Sequence, residues 1–230
     1  MNTDGNNLTY DVRFPVGSTH LLVGNSGAGK TYRMAKILSL KNEIIKEGAK
    51  IRNVVFFYAA WQPLYDVLKE SGVVTRWVNR MPTKNEFVDF VKYHKDRGGS
   101  LVVIDDFMQE VGQDMCDIVC VSSRHYNVTT FILFQNLFHA DKCARTISRN
   151  VRFLHLHKSP RDSSQIRCLA SQLSPGNFKW IVDAFCAATA DPYSCFLFDF
   201  SQDCPEELRY RSNYLPEEFP MRVWRENISR

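Results

Sequence analysis

The chain has 230 residues, of which 44% are hydrophobic and 23% charged, and its formal net charge is +4. The composition is that of a globular protein, and the length suits one domain over residues 1–230. Within it we distinguish an N-terminal arm at 1–15 and a C-terminal tail at 204–230 of unassigned structure. The N-terminus lacks the pattern of a secretory signal, and no apolar run is long enough to span a bilayer, which argues against secreted and membrane classes. The seven scattered cysteines are expected to be reduced intracellular thiols.

A phosphate-binding loop follows the first predicted strand, Thr19–Val23, and precedes a helix predicted over 30–47. The loop has the pattern G-x-x-x-x-G-K-[ST], whose glycines let successive backbone N–H groups point at a chain of phosphates. This placement predicts binding of ATP and Mg²⁺, with Lys30 at the β and γ phosphates and the Thr31 hydroxyl on the metal. The residues of the loop are Gly24, Asn25, Ser26, Gly27, Ala28, Gly29, Lys30 and Thr31.

Strand-like and helical segments alternate along the rest of the chain, which predicts a mainly parallel sheet flanked by helices on both faces. Thr83 and Glu86 have the spacing of a capping box, and Asp141 and Asp162 can each cap the helix that they precede. Further strands are predicted at Asn53–Tyr58, 74–78, 101–104, Thr129–Phe134, 151–156 and 194–200, and further helices at 63–70, 83–96, 113–123, 141–149, 162–173 and 177–188.

Polar residues follow two of the predicted buried strands. Ligands bind at the carboxyl ends of strands in open α/β sheets, so Asp105 is expected to hold Mg²⁺ through water. Asp106 stands where many ATPases carry the general base that activates the attacking water, usually a Glu. Gln135, after the strand Thr129–Phe134, is the candidate sensor of the γ phosphate; alternatively, it satisfies a backbone group in its turn.

Basic residues concentrate in the region after Gln135. Lys142, Arg145 and Arg149 share one face of the predicted helix. They are candidate contacts to phosphates, either of DNA or of a nucleotide bound by the neighbouring subunit, although charge runs are often only solvated surface. Arg124 is the candidate arginine finger for the nucleotide of a neighbouring subunit, with Arg149 as the runner-up and an intramolecular ion pair as the alternative. The other basic residues of this region are Arg152, Lys158, Arg161 and Arg167.

His155 and His157 alternate along one strand and face the same side. Two ligands without a third make a weak metal site, so packing is the expected role of both.

Several segments match one family in order along most of the chain. They are the phosphate loop at 24–31, the segments 57–58 and 61–65, the acidic strand at 101–106, R-H-Y-N at 124–127, Q-N-L-F at 135–138, Arg-Asn at 149–150, P-R-D at 160–162 with 165–166, and 208–211. The sequence therefore resembles DNA-packaging ATPases of the FtsK/HerA superfamily, in the poxvirus-type branch found in large DNA viruses, virophages, adintoviruses and Polinton (Maverick) transposons.

The resemblance implies a RecA-like P-loop ATPase core that forms a homo-oligomeric ring, a hexamer or pentamer, and drives double-stranded DNA into a preformed capsid. Capsid or portal-equivalent proteins would be its partners, and its location would be the host nucleus, a cytoplasmic virus factory or the virion. Gln135 would be the family's sensor, and an arginine would act in trans. The sequence departs from the family in His155 and His157, where more apolar residues are expected, and in having no separate DNA-binding extension; Asp106 in the base position is frequent in this branch.

Three other classes share the phosphate loop. A P-loop kinase would transfer phosphate to a small-molecule acceptor, and a cellular DNA-pumping ATPase would act in segregation or conjugation. A GTP-binding switch would read guanine with N-K-x-D, and the chain contains no Asn-Lys pair.

Overall fold

The computed structural model of the chain describes residues 10–94, 99–107, 111–160 and 163–226, with the backbone alone at residues 49, 94, 122 and 124. Within these residues, nine strands form one sheet. In chain order they are β1 (Thr19–Val23), β2 (Asn53–Tyr58), β3 (Arg76–Val78), β4 (Ser100–Asp105), β5 (Thr129–Phe134), β6 (Phe153–His157), β7 (Cys195–Asp199), β8 (Tyr210–Ser212) and β9 (Arg222–Trp224).

The spatial order of the strands is β3-β2-β4-β5-β1-β6-β7-β8-β9. Pairing is parallel from β3 to β6 and antiparallel from β6 to β9. The strand β5 therefore separates β1, which leads into the phosphate loop, from β4, which carries the acidic pair. All three end at the same edge of the sheet, and this edge gathers the phosphate loop, the acidic pair and Gln135.

Helices cover both faces of the sheet. The strands alternate strictly, so that Leu21 and Val23 belong to one core and Leu22 to the other. The first core packs against α4, α5, α7, α8 and α9, and the second against α1, α2 and α3, which confirms the predicted fold class. The helices are α1 (Lys30–Ser39), α2 (Lys41–Ile44), α3 (Pro63–Glu70), α4 (Lys84–His94), α5 (Gln113–Asp117), α6 (Ser123–His125), α7 (Lys142–Asn150), α8 (Ser164–Leu173) and α9 (Lys179–Ala188).

Two predicted helices are interrupted. The helix predicted over 30–47 breaks at Leu40, and its second part ends at Ile44. Phe14 pairs with the backbone at this end, donating to the Ile44 carbonyl and accepting from the Lys46 N–H. The helix predicted over 113–123 contains a π-helical turn, Ile118–Ser122, between α5 and α6. Neither break has a helix-breaking proline or glycine to announce it.

The described parts of both terminal segments, residues 10–15 and 204–226, contribute to the sheet or its cores. Phe14, in the predicted N-terminal arm, is buried in the second core. The predicted C-terminal tail supplies β8 and β9, and Tyr214 and Leu215 between them are buried against the second core. In its described part, the tail that the sequence left unassigned thus forms an antiparallel extension of the sheet.

Predicted helix caps form at two sites. Thr83 and Glu86 exchange hydrogen bonds as a capping box, with the Thr83 N–H donating to Glu86 Oε2 at 3.0 Å. Asp141 Oδ1 accepts from the Ala144 N–H at 2.9 Å at the start of α7. The predicted cap Asp162 and the basic residue Arg161 lie outside the described residues.

Candidate nucleotide site

The phosphate loop connects β1 to the N-terminus of α1. Gly27 and Gly29 have left-handed backbone angles, with φ of 78° and 94°, that side chains rarely adopt. Gly29 caps α1, so the first N–H groups of this helix have no partner within it and face the loop. The Lys30 ammonium donates to the carbonyls of Gly24 at 2.6 Å and Asn25 at 3.1 Å. Burial lowers the pKa of Lys30, and the negative charges of Asp105 and Asp106 oppose that shift.

The acidic strand brings Asp105 beside the loop. The Thr31 hydroxyl donates to Asp105 Oδ2 at 3.2 Å, and the Tyr65 hydroxyl donates to the same oxygen at 2.7 Å. Asp105 is 3% exposed, and burial raises its pKa, while the two hydrogen bonds and Lys30 act in the opposite direction. The hydroxyl of Thr31 and the carboxylate of Asp105 are hard oxygen donors, which fits Mg²⁺.

The candidate base and the candidate sensor are in direct contact. Gln135 Nε2 donates to Asp106 Oδ1 at 3.1 Å. Asp106 has a left-handed backbone with φ of 65°, a conformation that Asp and Asn tolerate better than most residues. The structure thus brings together Lys30, Thr31 and Asp105 on one side and Asp106 with Gln135 on the other.

Two clefts meet at the loop. The smaller, about 340 Å³, lies over Lys30, Asp105 and Gln135. The larger, about 820 Å³, extends from the other side of the loop to the segment 190–194 before β7. Their sizes and common border fit a nucleotide whose triphosphate follows the loop from one cleft to the other.

Three residues that the sequence reasoning missed also shape the site. Tyr65 contacts Asp105, and Gln62 lines the smaller cleft. Tyr193, with φ of 62°, packs on Gly29 so closely that a Cβ added there would lie 3.0 Å from its ring. Although the segment 61–65 is among those that carry the resemblance, the sequence assigns no role to Gln62, Tyr65 or Tyr193, because their roles depend on contacts between distant segments.

The two arginine-finger candidates lie away from this edge. Arg124 belongs to α6, shortly before β5 begins, and its side chain is outside the described part of the structure. Arg149 lies where β1 begins, in a cleft with Gly17 and Ser18. Among the described residues that line the smaller cleft, Lys30 is the one cation. A chain therefore does not bring Arg149 to its own phosphate loop.

The candidate DNA contacts share an exposed face of α7. Lys142, Arg145 and Arg149 are exposed and make no ion pair with a described residue. Arg152 differs, because it pairs with Asp203 at 3.0 Å. The α7 face is therefore a separate basic surface on the helix layer that packs against the first core.

The two histidines of β6 are buried. His155 Nδ1 accepts from the Tyr214 hydroxyl at 2.6 Å, and its Nε2 contacts His20 Nδ1 at 3.1 Å. His20 Nε2 contacts Ser18 Oγ at 2.7 Å, and because the Ser18 hydroxyl donates to a carbonyl, it accepts from His20 Nε2. A neutral imidazole has one N–H, so His20 Nδ1 in turn accepts from His155 Nε2. His157 donates from Nδ1 to Val23 O at 3.2 Å. In the described residues, no three His, Cys, Asp or Glu side chains are grouped as a metal site.

No helix among the described residues has both the length and the apolar character needed to cross a bilayer.

Comparisons with known proteins give likenesses of structure alone. No model of a protein family matches the chain, and no curated protein matches it. A KaiC-like protein, PH0186 of Pyrococcus horikoshii, has a TM-score of 0.48 at 13% identity, over 86% of each chain. The cytoplasmic domain of EssC has a TM-score of 0.43 at 14% identity, over 70% of this chain and 34% of the other.

The ATPase EscN of the enteropathogenic E. coli type III secretion system has a TM-score of 0.38 at 10% identity, over 61% of this chain and 43% of the other. All three scores are low, so the fold of this chain rests on its own strand order and phosphate loop.

Proposed function

We propose that this chain hydrolyses ATP with Mg²⁺ and uses the reaction to move double-stranded DNA into a viral capsid. One observation supports the enzymatic part of this proposal: two groups of residues lie together at one edge of the sheet. The first group is Lys30 and Thr31 of the loop with Asp105, and the second is Asp106 in contact with Gln135. A general base held by an amide beside a phosphate loop is suited to activating water. The DNA and capsid parts rest on the sequence resemblance and on the basic α7 face.

Each site residue has a distinct proposed role. Lys30 and the N–H groups of the loop bind the β and γ phosphates, and Thr31 and Asp105 hold Mg²⁺, Asp105 through water. When bound, Mg²⁺ would neutralise phosphate oxygens and polarise the terminal phosphoryl group. Asp106 accepts the proton of the attacking water, and Gln135 orients Asp106 and responds to the γ phosphate. ATP is preferred to GTP in this proposal because the chain lacks N-K-x-D.

The proposed active form is a homo-oligomeric ring, a hexamer or pentamer. Charge that develops on the γ phosphate needs a further cation, and the described lining of the smaller cleft offers Lys30 as its one cation. Arg124, with Arg149 as the runner-up, would supply this charge to the neighbouring subunit. An arginine of this kind is typically worth about 10³ to 10⁵ in rate.

The proposed DNA contacts are Lys142, Arg145 and Arg149. Because such contacts are to phosphates, binding would be independent of sequence and would weaken steeply with salt. Location in the host nucleus or virus factory, and capsid or portal-equivalent partners, follow from the same proposal.

The first experiment tests hydrolysis and packaging together. Lys30→Ala is expected to abolish ATP hydrolysis, and in infected cells to leave empty capsids that assemble without DNA. ATPase activity that long duplex DNA stimulates and no small acceptor does would exclude the kinase alternative. A Lys30→Ala protein that hydrolyses ATP like the wild type would refute the assignment of the site.

The second experiment tests the α7 face. Changing Lys142, Arg145 and Arg149 to Gln is expected to lower the salt dependence of duplex binding, by a slope of roughly one per lost phosphate contact. A control of equal charge changes the exposed residues Lys92, Arg52 and Arg76 to Gln. If the salt dependence of duplex binding falls equally in the two triple variants, net charge and not this face determines binding.

A further inference from the structure

The hydroxyl of Tyr65 contacts the acid that is expected to organise the metal. It donates to Asp105 Oδ2 at 2.7 Å, and both residues are almost completely buried. Thr31 donates to the same oxygen from α1, so hydroxyls of two different helices hold one carboxylate oxygen. A buried carboxylate needs such donors, and their directions determine where its other oxygen points.

The ring of Tyr65 has little freedom to move. Its centroid lies 5.0 Å from that of Phe56, 5.4 Å from Trp77, 5.5 Å from Trp61 and 5.8 Å from Tyr58. The Tyr65 N–H also donates to the Gln62 carbonyl at 2.9 Å in the first turn of α3. A cage of aromatic rings therefore holds the hydroxyl in place, as is typical of groups that orient a functional side chain.

We propose that Tyr65 is a positioning residue that orients Asp105 for Mg²⁺, and that the aromatic cluster around it exists in part to hold its hydroxyl. Tyr65 itself touches neither nucleotide nor metal in this proposal. The inference rests on the proposed function, since it assigns a role within the same Mg²⁺ site. Groups that orient metal ligands in this way typically contribute about 10–100-fold to metal affinity.

The test measures how much Mg²⁺ strengthens nucleotide binding, without using turnover. Dissociation constants of ADP are measured by calorimetry with Mg²⁺ and with a chelator, and their ratio gives the metal-dependent gain. Tyr65→Phe keeps the ring and removes one hydroxyl, and it is expected to reduce this gain by about 10–100-fold while leaving metal-free ADP binding unchanged. Tyr58→Phe removes a hydroxyl from the same aromatic cluster and is expected to leave both constants unchanged.

A double variant shows whether Tyr65 acts through Asp105. In an Asp105→Asn background, Tyr65→Phe is expected to have no further effect on the metal-dependent gain. Melting temperatures and far-ultraviolet circular dichroism identify any variant that has lost its fold. If Tyr65→Phe has lost its fold, electron paramagnetic resonance compares the Mn²⁺ that is bound with ADP to the wild type and to Tyr65→His. A changed Mn²⁺ spectrum in Tyr65→His would support the inference, and an unchanged one would contradict it.

The outcomes separate this inference from the function on which it rests. If the wild type binds no nucleotide with or without Mg²⁺, the proposed function itself is refuted. If the wild type shows a metal-dependent gain and Tyr65→Phe keeps it in full, the function stands and the role of Tyr65 is wrong. An equal weakening of both constants in Tyr65→Phe would assign Tyr65 to packing and would also overturn the inference.

Discussion

Acidification is predicted to destabilise the protein through three buried histidines. His20 and His155 are fully buried, and His157 is 1% exposed. Burial lowers the pKa of His20 and His155 well below the usual value and that of His157 to about 3, and the positive charge of Arg33 adds to the effect on His157. In the unfolded chain each would bind a proton below a pH of about 6.5.

The sign and size of the effect follow from this difference. The pKa of each histidine is lower in the folded state, so the unfolded state binds more protons as the pH falls, and stability is lost below pH of about 6.5. At pH 5.5 the loss is about 1.4 kcal/mol per histidine, or about 4 kcal/mol for the three. Asp105 acts in the opposite direction, because burial raises its pKa and the folded state therefore gains a proton there as the pH falls. This proton offsets at most about one of those that the histidines bind in the unfolded state. The free energy of unfolding of a typical domain is only about 5–15 kcal/mol.

The assay is urea unfolding followed by circular dichroism between pH 8 and 5.5 at constant ionic strength. Between pH 6 and 5.5 the free energy of unfolding is expected to fall by at least about 2 kcal/mol per pH unit, equivalent to one and a half protons. His157→Asn keeps a donor for Val23 O and removes one titrating group, so it should lower this slope by about 1 kcal/mol per pH unit. The exposed His125→Asn is the control. A wild-type slope below about half a proton would refute the reasoning.

Two further predictions concern stability at neutral pH. Gly29→Ala is expected to cost about 2–3 kcal/mol, because φ is 94° and the new Cβ would lie 3.0 Å from the ring of Tyr193. Gly72→Ala, with φ of 68° and open space around it, should cost about 1 kcal/mol. If urea unfolding shows the same loss of unfolding free energy in both variants, the contact with Tyr193 does not contribute. Asp199→Ala leaves Arg211, its buried partner at 2.7 Å, without a counter-charge and should cost about 3–5 kcal/mol. Adding Arg211→Met should restore more than about 1 kcal/mol of this, and a further loss would show that the buried charge is not the cause.

The elements with a strong local pattern were predictable from the sequence. β1, β2 and β5 have the predicted bounds, because each is a short apolar run between polar turns. Asp105 and Gln135 were placed at one edge because parallel strands end together, and the adjacency of β4 and β5 shows the reason. The caps at Thr83 and Asp141 depend on hydrogen bonds between a side chain and a backbone N–H three residues away.

Features that depend on distant contacts were not predictable. The end of α2 at Ile44 coincides with the pairing of Phe14 with this backbone, which no spacing announces. The C-terminal tail is rich in turn residues, yet β8 and β9 form there because β7 offers a free edge for them. Glu218, from the same segment, pairs with Arg33 of α1 at 2.7 Å and so ties the tail to the helix that follows the phosphate loop.

The two adjacent acids show how one strand end can supply two different chemistries. Asp105 is still part of β4, and its side chain is buried among hydroxyl donors, so its position is fixed. One residue later the backbone turns to a positive φ, and Asp106 is exposed and contacts Gln135. A long side chain such as Glu is less suited to this left-handed position than Asp, whose short carboxylate bonds locally. The change of conformation between the two residues separates a buried acid that two hydroxyls hold from an exposed acid in contact with Gln135.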